Sequence, residues 1–163
     1  MKKLKNWDNK TWLSSTRYIS NIIFFLEKKI NFNKEIKILD IGCGRGKIIS
    51  ALSKKYKMNN LPLGVDIVDH KVIEKKITYI KINALRYLDK TNKKFDLILF
   101  KQSIHFFKPK EINKILDLSK KKLNPSGKIM ILTLHSKKNY WPLFKIFKTK
   151  LIKSLKNDEL ILN

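Results

Sequence analysis

Between residues 36 and 46 the chain changes character abruptly. Ile36-Lys37-Ile38-Leu39-Asp40-Ile41 is short, apolar and rich in β-branched residues, and it runs straight into Gly42-Cys43-Gly44-Arg45-Gly46. The first stretch reads as a strand. The second reads as a tight turn, because glycines let the backbone turn sharply and bring bare main chain against a ligand. Helical spacing resumes at once over residues 47–57, through Ile48, Ile49 and Leu52. A strand, a glycine turn and a helix in that order open a parallel α/β unit.

The same rhythm continues. Strands are expected at Leu61 to Ile67, Ile77 to Ile82, Phe95 to Phe100 and Ile129 to Leu134. A short helix fits near 69–75, one or two helical turns fit Ala84 to Leu88, and Pro109 opens a helix that reaches about Lys122. Asn124-Pro125-Ser126-Gly127 has the composition of a turn. An amphipathic helix over 11–30 precedes this core, with Trp12, Ile19, Ile22, Ile23, Leu26 and Ile30 at three- and four-residue steps. Another, over roughly 140–156, follows it with Phe144, Phe147, Leu151 and Leu155 in line. Strands alternating with helices imply a parallel sheet covered on both faces, and the nearly continuous apolar run at 95–100 suits a strand buried on both sides.

With 163 residues, 43% of them hydrophobic, the chain is expected to form one domain with one sizeable core. No apolar run reaches the roughly 18–20 residues of a membrane span, and Asn6 and Asp8 interrupt the N-terminus where a signal peptide needs an apolar stretch. A cytoplasmic protein is therefore expected. Cys43 is the sole cysteine, so neither an internal disulfide nor a CxxC metal site is available. The formal net charge of +24 would attract nucleic acid. Yet the basic residues are 34 Lys and only 3 Arg, beside 23 Ile, 14 Asn and 2 Ala. Lys, Asn and Ile have AT-rich codons, so genome composition explains the bias better than selection for a polyanion. The lysines are also spread along the chain, as on a solvated surface.

In an open parallel sheet, ligands bind beyond the carboxyl ends of the strands. That rule selects Asp40 to Gly46, Asp66 to Asp69, Asn83 and Ala84, Lys101 to His105, and His135. The glycine spacing is GxGxG, with Lys47 where a dinucleotide cradle needs its last glycine, so a pyrophosphate fits poorly. A carboxylate at Asp40 repels phosphate and suits an ammonium group. Asp66 ends the second strand, placed to accept hydrogen bonds from both hydroxyls of a ribose; a surface acid or a helix cap is the plainer alternative. Asn83 can offer a donor and an acceptor to an adenine edge, or simply serve as a turn or cap residue.

These residues together resemble a class I S-adenosylmethionine-dependent methyltransferase. Ile38-Leu39-Asp40-Ile41-Gly42-Cys43-Gly44-Arg45-Gly46 resembles the family's first motif, and Gly64-Val65-Asp66-Ile67 its second-strand motif. Asn83-Ala84 stands where the family often has Asp-Ala, Phe95-Asp96-Leu97-Ile98-Leu99 resembles the fourth-strand motif, and Leu123 to Ile129 the turn into strand five. The match covers about residues 36–135. It implies a Rossmann-like three-layer αβα sandwich with a mostly parallel sheet of about five strands. It implies S-adenosyl-L-methionine as cofactor, with Asp40, Gly42, Cys43, Gly44, Gly46, Asp66, Ile67, Asn83, Ala84 and Lys101 lining its site. His105 and Gln102 are the candidate catalytic residues, with His135 a second candidate base.

The resemblance divides the single domain into an N-terminal helical lid or cap at 1–35, a cofactor-binding core at 36–135, and a C-terminal helix and tail at 136–163. Trp7 and Trp12 are either part of that lid or helix-packing residues. The family's usual strands six and seven have no counterpart beyond the tail Asp158 to Asn163, which supplies at most one short strand. A second copy of the chain, forming a homodimer, is one way to cover the remaining edge.

Lys101-Gln102-Ser103-Ile104 lacks the Asp/Asn-Pro-Pro-Tyr/Phe motif of nucleobase amino methylation, and no cysteine follows strand four for attack on cytosine C5. A small-molecule acceptor is the main expectation. An RNA- or ribosome-directed methyltransferase and a catalytically inactive partner subunit are the alternatives. The acceptor atom is not specified by sequence.

Overall fold

The computed structural model describes residues 15–133 and 160–162. In chain order the elements are α1 (Thr16–Glu27), β1 (Ile38–Ile41), α2 (Lys47–Tyr56), β2 (Leu63–Asp66), β3 (Thr78–Lys81), α3 (Ala84–Lys90), β4 (Phe95–Lys101), α4 (Pro109–Lys121), β5 (Leu123–Leu132) and β6 (Leu160–Leu162), with a short 3-10 turn at Ile104–Phe106. They form one sheet in the order β3-β2-β1-β4-β5-β6. The first five strands are parallel, and β6 runs antiparallel to β5 with Leu162 opposite Ile129.

Side chains alternate across a strand, so each central strand serves two layers. Leu39, Ile41, Ile98, Phe100, Ile129 and Ile131 pack with Tyr87 and Leu88 of α3 and Ile112 and Ile115 of α4. Ile38, Leu97, Leu99 and Met130 pack with Leu26 of α1 and Ile48, Ile49 and Leu52 of α2. Fully burying each such side chain is worth about 1.5–3 kcal/mol. The result is the expected αβα sandwich. Asp40 falls at a position of β1 where its neighbours in the strand are core residues, and it is buried with them.

The helices begin and end for local reasons. The Ser15 hydroxyl caps α1 by accepting the Tyr18 N–H at 3.2 Å. Pro109 stands in the first turn of α4, where no N–H is needed, and Glu111 accepts the Lys108 N–H at 2.9 Å. The helix expected over 11–30 ends at Glu27, because the Lys29 and Ile30 N–H groups both turn back onto the Leu26 carbonyl.

Two expectations need correction. Residues 69–75 form no helix: their polar backbone is taken up by the start of α2 instead. Arg45 Nε donates to the Val72 carbonyl at 3.2 Å, the Glu74 N–H donates to the Arg45 carbonyl at 3.0 Å, and Ser50 Oγ donates to the Lys75 carbonyl at 2.6 Å. The turn expected at 124–127 is absorbed into β5 as a bulge, since Phe95 faces Leu123 while Leu97 already faces Lys128. The tail supplies the one short strand that the sequence allowed it, with residues 160–162 pairing along the otherwise free edge of the five parallel strands at β5. The helix expected at 140–156, together with Trp7, Trp12 and His135, lies outside the described residues. Among those described, no helix is long and apolar enough to cross a membrane.

Candidate active site

The strand order reverses between β1 and β4, which is where an open parallel sheet leaves a crevice beyond its carboxyl ends. Asp40 lies beneath that crevice. It is 1% exposed, and neither carboxylate oxygen has a hydrogen-bond partner among the described residues. Burial raises its pKa from 3.8 to about 7; the positive charge of Lys101 pulls it back down and the negative charge of Asp66 pushes it further up. A buried carboxylate without a donor is expensive. This one fits a cationic or donor-bearing ligand group.

The glycine loop arches from β1 toward β2. The Gly42 and Cys43 N–H groups donate to the Val65 carbonyl at 2.8 and 3.2 Å, and the Gly44 N–H donates to Asp66 Oδ2 at 2.8 Å. Gly42 has φ +73°, and a Cβ there would collide with the side chain of Ser103. Ser103 follows β4, and its hydroxyl donates back to the Ile41 carbonyl at 2.5 Å. Gly46, with φ +78°, starts α2 in the left-handed region. The ends of β1, β2 and β4 are thereby tied into one rim. Cys43 is buried, its thiol donates to the Gly44 carbonyl at 3.3 Å, and it packs against Gly64.

Asp66 is held by two amides, Gly44 N–H on Oδ2 and Val68 N–H on Oδ1 at 2.9 Å. A carboxylate has about four lone-pair positions, so acceptor capacity remains for a diol. Ile67, next to it, is 52% exposed, an apolar face at the rim. Asn83 is the N-cap of α3: its Oδ1 accepts the Leu85 and Arg86 N–H groups at 2.9 and 3.3 Å. Its oxygen is therefore committed, and only its amide donor is left for an adenine edge. Ala84, the first residue of α3, is buried.

At the end of β4, Lys101 is half-buried, and Gln102 takes φ +55°, an uncommon conformation for a residue with a side chain. Its N–H donates to the Leu132 carbonyl at 2.7 Å, and its side chain contacts the Tyr18 hydroxyl from α1. His105 sits in the 3-10 turn, partly buried, with its ring 4.2 Å from that of Phe106, which is 63% exposed. Burial holds the imidazole pKa below its ordinary 6.5, so the ring is neutral at pH 7. Asp40, Asp66, the glycine loop and Gln102 thus converge on one rim. Two open cavities of about 450 and 460 Å³ lie at the opposite end of the sheet, lined by residues such as Phe32, Tyr56, Asp96 and Lys128, and hold none of these groups.

Sequence reasoning missed Tyr18 and His70, and gave Ser103 no role within the stretch from Lys101 to His105 that it selected. Tyr18 was hidden in the apolar periodicity of α1, and His70 in a segment read as helix. Ser103 carries a signal only once β1 and β4 are known to be neighbours.

The family described as methyltransferase domain matches residues 12–158. No curated protein matches the chain. Among solved structures, a SAM dependent methyltransferase from Archaeoglobus fulgidus is 28% identical with a TM-score of 0.58, over 69% of this chain and 52% of that one. The plantazolicin methyltransferase BamL, solved with a triazolic desmethylPZN analog and SAH, is 27% identical with a TM-score of 0.59, over 74% and 46%. Coclaurine N-methyltransferase shares the fold at 16% identity and a TM-score of 0.60, over 76% and 38%. The chain spans about half the length of these structures, or less.

Proposed function

The chain belongs to the methyltransferase domain family, and we propose that it transfers a methyl group from S-adenosylmethionine to a small-molecule acceptor by in-line displacement. One observation carries the cofactor reading: a buried carboxylate without a donor, Asp40, beneath a glycine loop whose Gly44 N–H is bonded to a second acid, Asp66. These residues fit the cofactor. Asp40 would accept from its ammonium end, the bare backbone at 42–46 would lie against its chain, Asp66 would accept from its ribose, and Ile67 would offer an apolar face to its base.

S-adenosylmethionine supplies, when bound, a methyl group on sulfonium sulfur that is already activated. The chain's own task is then to hold an acceptor lone pair in line and to keep water out. Gln102 holds a hydrogen-bonding amide at the end of β4, fixed by its own N–H to Leu132. His105, neutral because it is buried, takes a proton on an imidazole nitrogen from acceptors that must lose one. The small-molecule reading is supported by the absence of a nucleobase amino-methylation motif at 101–104. It is also supported by the likeness to the plantazolicin methyltransferase BamL, solved in complex with a triazolic desmethylPZN analog and SAH.

The experiment is methyl transfer from labelled S-adenosylmethionine to a small-molecule extract and, separately, to RNA. Label entering the small-molecule fraction is expected, with His105→Ala lowering turnover at least tenfold while cofactor affinity stays within about twofold of wild type. Label entering only RNA overturns the acceptor class. Unchanged turnover in His105→Ala removes the base from His105.

A further inference from the structure

Asp66 has a neighbour that neither the sequence reading nor the family comparison assigns. His70 lies four residues on, with Nε2 at 3.8 Å from Asp66 Oδ2. Its side chain is 6% exposed and that of Asp66 12%. The His70 ring stands edge-on to Tyr79 of β3, with centroids 6.1 Å apart and planes at 81°. The Tyr79 hydroxyl donates to the Val68 carbonyl, and the Val68 N–H in turn donates to Asp66 Oδ1. The ribose-side acid is therefore enclosed on three sides. The glycine loop holds Oδ2 through Gly44, the residue-68 amide holds Oδ1, and the imidazole stands beside Oδ2, backed by the β3 tyrosine.

A carboxylate at the end of a strand turns about its terminal torsion unless something stops it, because sp³–sp² torsions are broad. Residues 67–76 form no helix or strand that would stop it. The imidazole and the two amides do. At 3.8 Å the imidazole is too far for a direct hydrogen bond but close enough to obstruct rotation and to act electrostatically on Oδ2.

We propose that His70 is a positioning residue for Asp66: it fixes the carboxylate in the orientation that accepts a ribose diol, and so sets affinity for the adenosine half of the cofactor. This deepens the cofactor reading and rests on it. The loop at 67–76 then acts as the ribose-specificity element, and β3, through Tyr79, is its support.

The test is a calorimetric titration of the full chain with S-adenosylmethionine and with methylthioadenosine, which keeps the adenosine and lacks the amino acid end. It is done for wild type, Asp66→Ala, His70→Ala, His70→Asn and the double variant Asp66→Ala/His70→Ala, with melting temperatures recorded for each. His70→Ala is expected to weaken both ligands about tenfold, and His70→Asn to recover part of that loss. In the Asp66→Ala background the His70 substitution is expected to add less than twofold, because a residue that acts through Asp66 has nothing left to position. Unchanged affinity in folded His70→Ala overturns the proposal, and so does an additive loss in the double variant. If His70→Ala does not fold, His70→Asn decides, measured alone and combined with Asp66→Ala: weaker binding than wild type alone, with less than a twofold further loss relative to Asp66→Ala, is expected, and equal losses in both backgrounds overturn the proposal. Wild-type protein that binds neither ligand fails the cofactor reading itself, a result distinct from either.

Discussion

Asp40 holds the least favourable chemical position in the described structure and therefore the most informative one. Its pKa of about 7, well above the ordinary 3.8, means that the folded protein keeps a proton the unfolded chain has lost between those values. Folding then binds protons in that window, so ligand-free stability falls as pH rises from about 4 to 7. At about 1.4 kcal/mol per pH unit the upper bound is about 4 kcal/mol. Melting temperature against pH, compared between wild type and Asp40→Asn, should show the decline in wild type only. A cationic ligand reverses the cost, so affinity for S-adenosylmethionine should rise as pH passes through 7. Parallel melting curves would mean that Asp40 does not carry this penalty. Asp40 and Asp66 could be singled out in sequence because Asp66 ends β2 and Asp40 stands two residues before the glycine loop. The roles of Ser103, Tyr18 and His70 were not, since each arises from a contact between segments far apart in the chain or from a loop without periodicity.

Elements were legible where burial alone dictates them. The central strand β4 is apolar almost throughout, and its limits came out within a residue of expectation, Phe95–Lys101 against 95–100. The errors fall where tertiary contacts override local signals. Residues 69–75 have their carbonyls and amides engaged by Arg45 and Ser50, and Asn124-Pro125-Ser126-Gly127 is drawn into β5 by pairing across the bulge. Asn83 shows an element that the site borrows from. As the cap of α3 it should be worth about 1 kcal/mol. Asn83→Ala should lower the melting temperature by about 2–4 °C, while S-adenosylmethionine affinity changes less than in Asp66→Ala. The reverse ranking would make Asn83 primarily an adenine contact.

For the whole molecule, the sandwich and its order of strands bring three strand ends together, at the rim where we propose that the cofactor binds. The charge of +24 is a separate property. If it reflects codon composition, RNA binding should be weak at physiological salt and show no preference among RNAs. A folded RNA bound below micromolar at 150 mM salt, with a steep salt dependence, would move the RNA-directed reading ahead of the small-molecule one. The tail strand β6 belongs to this scale too. No local pattern separated Leu160–Leu162 from any apolar tail, and only the unpaired edge of β5 explains why they form a strand.

The most direct measurement is a calorimetric titration of the purified chain with S-adenosylmethionine, run beside NADH. Binding of S-adenosylmethionine at micromolar strength, with none for NADH, is the expected result, because Asp40 and the GxGxG spacing favour a cationic ligand over a pyrophosphate. Binding of NADH in preference, or of neither ligand by folded protein, would contradict the assignment of this rim as a methyl-donor site.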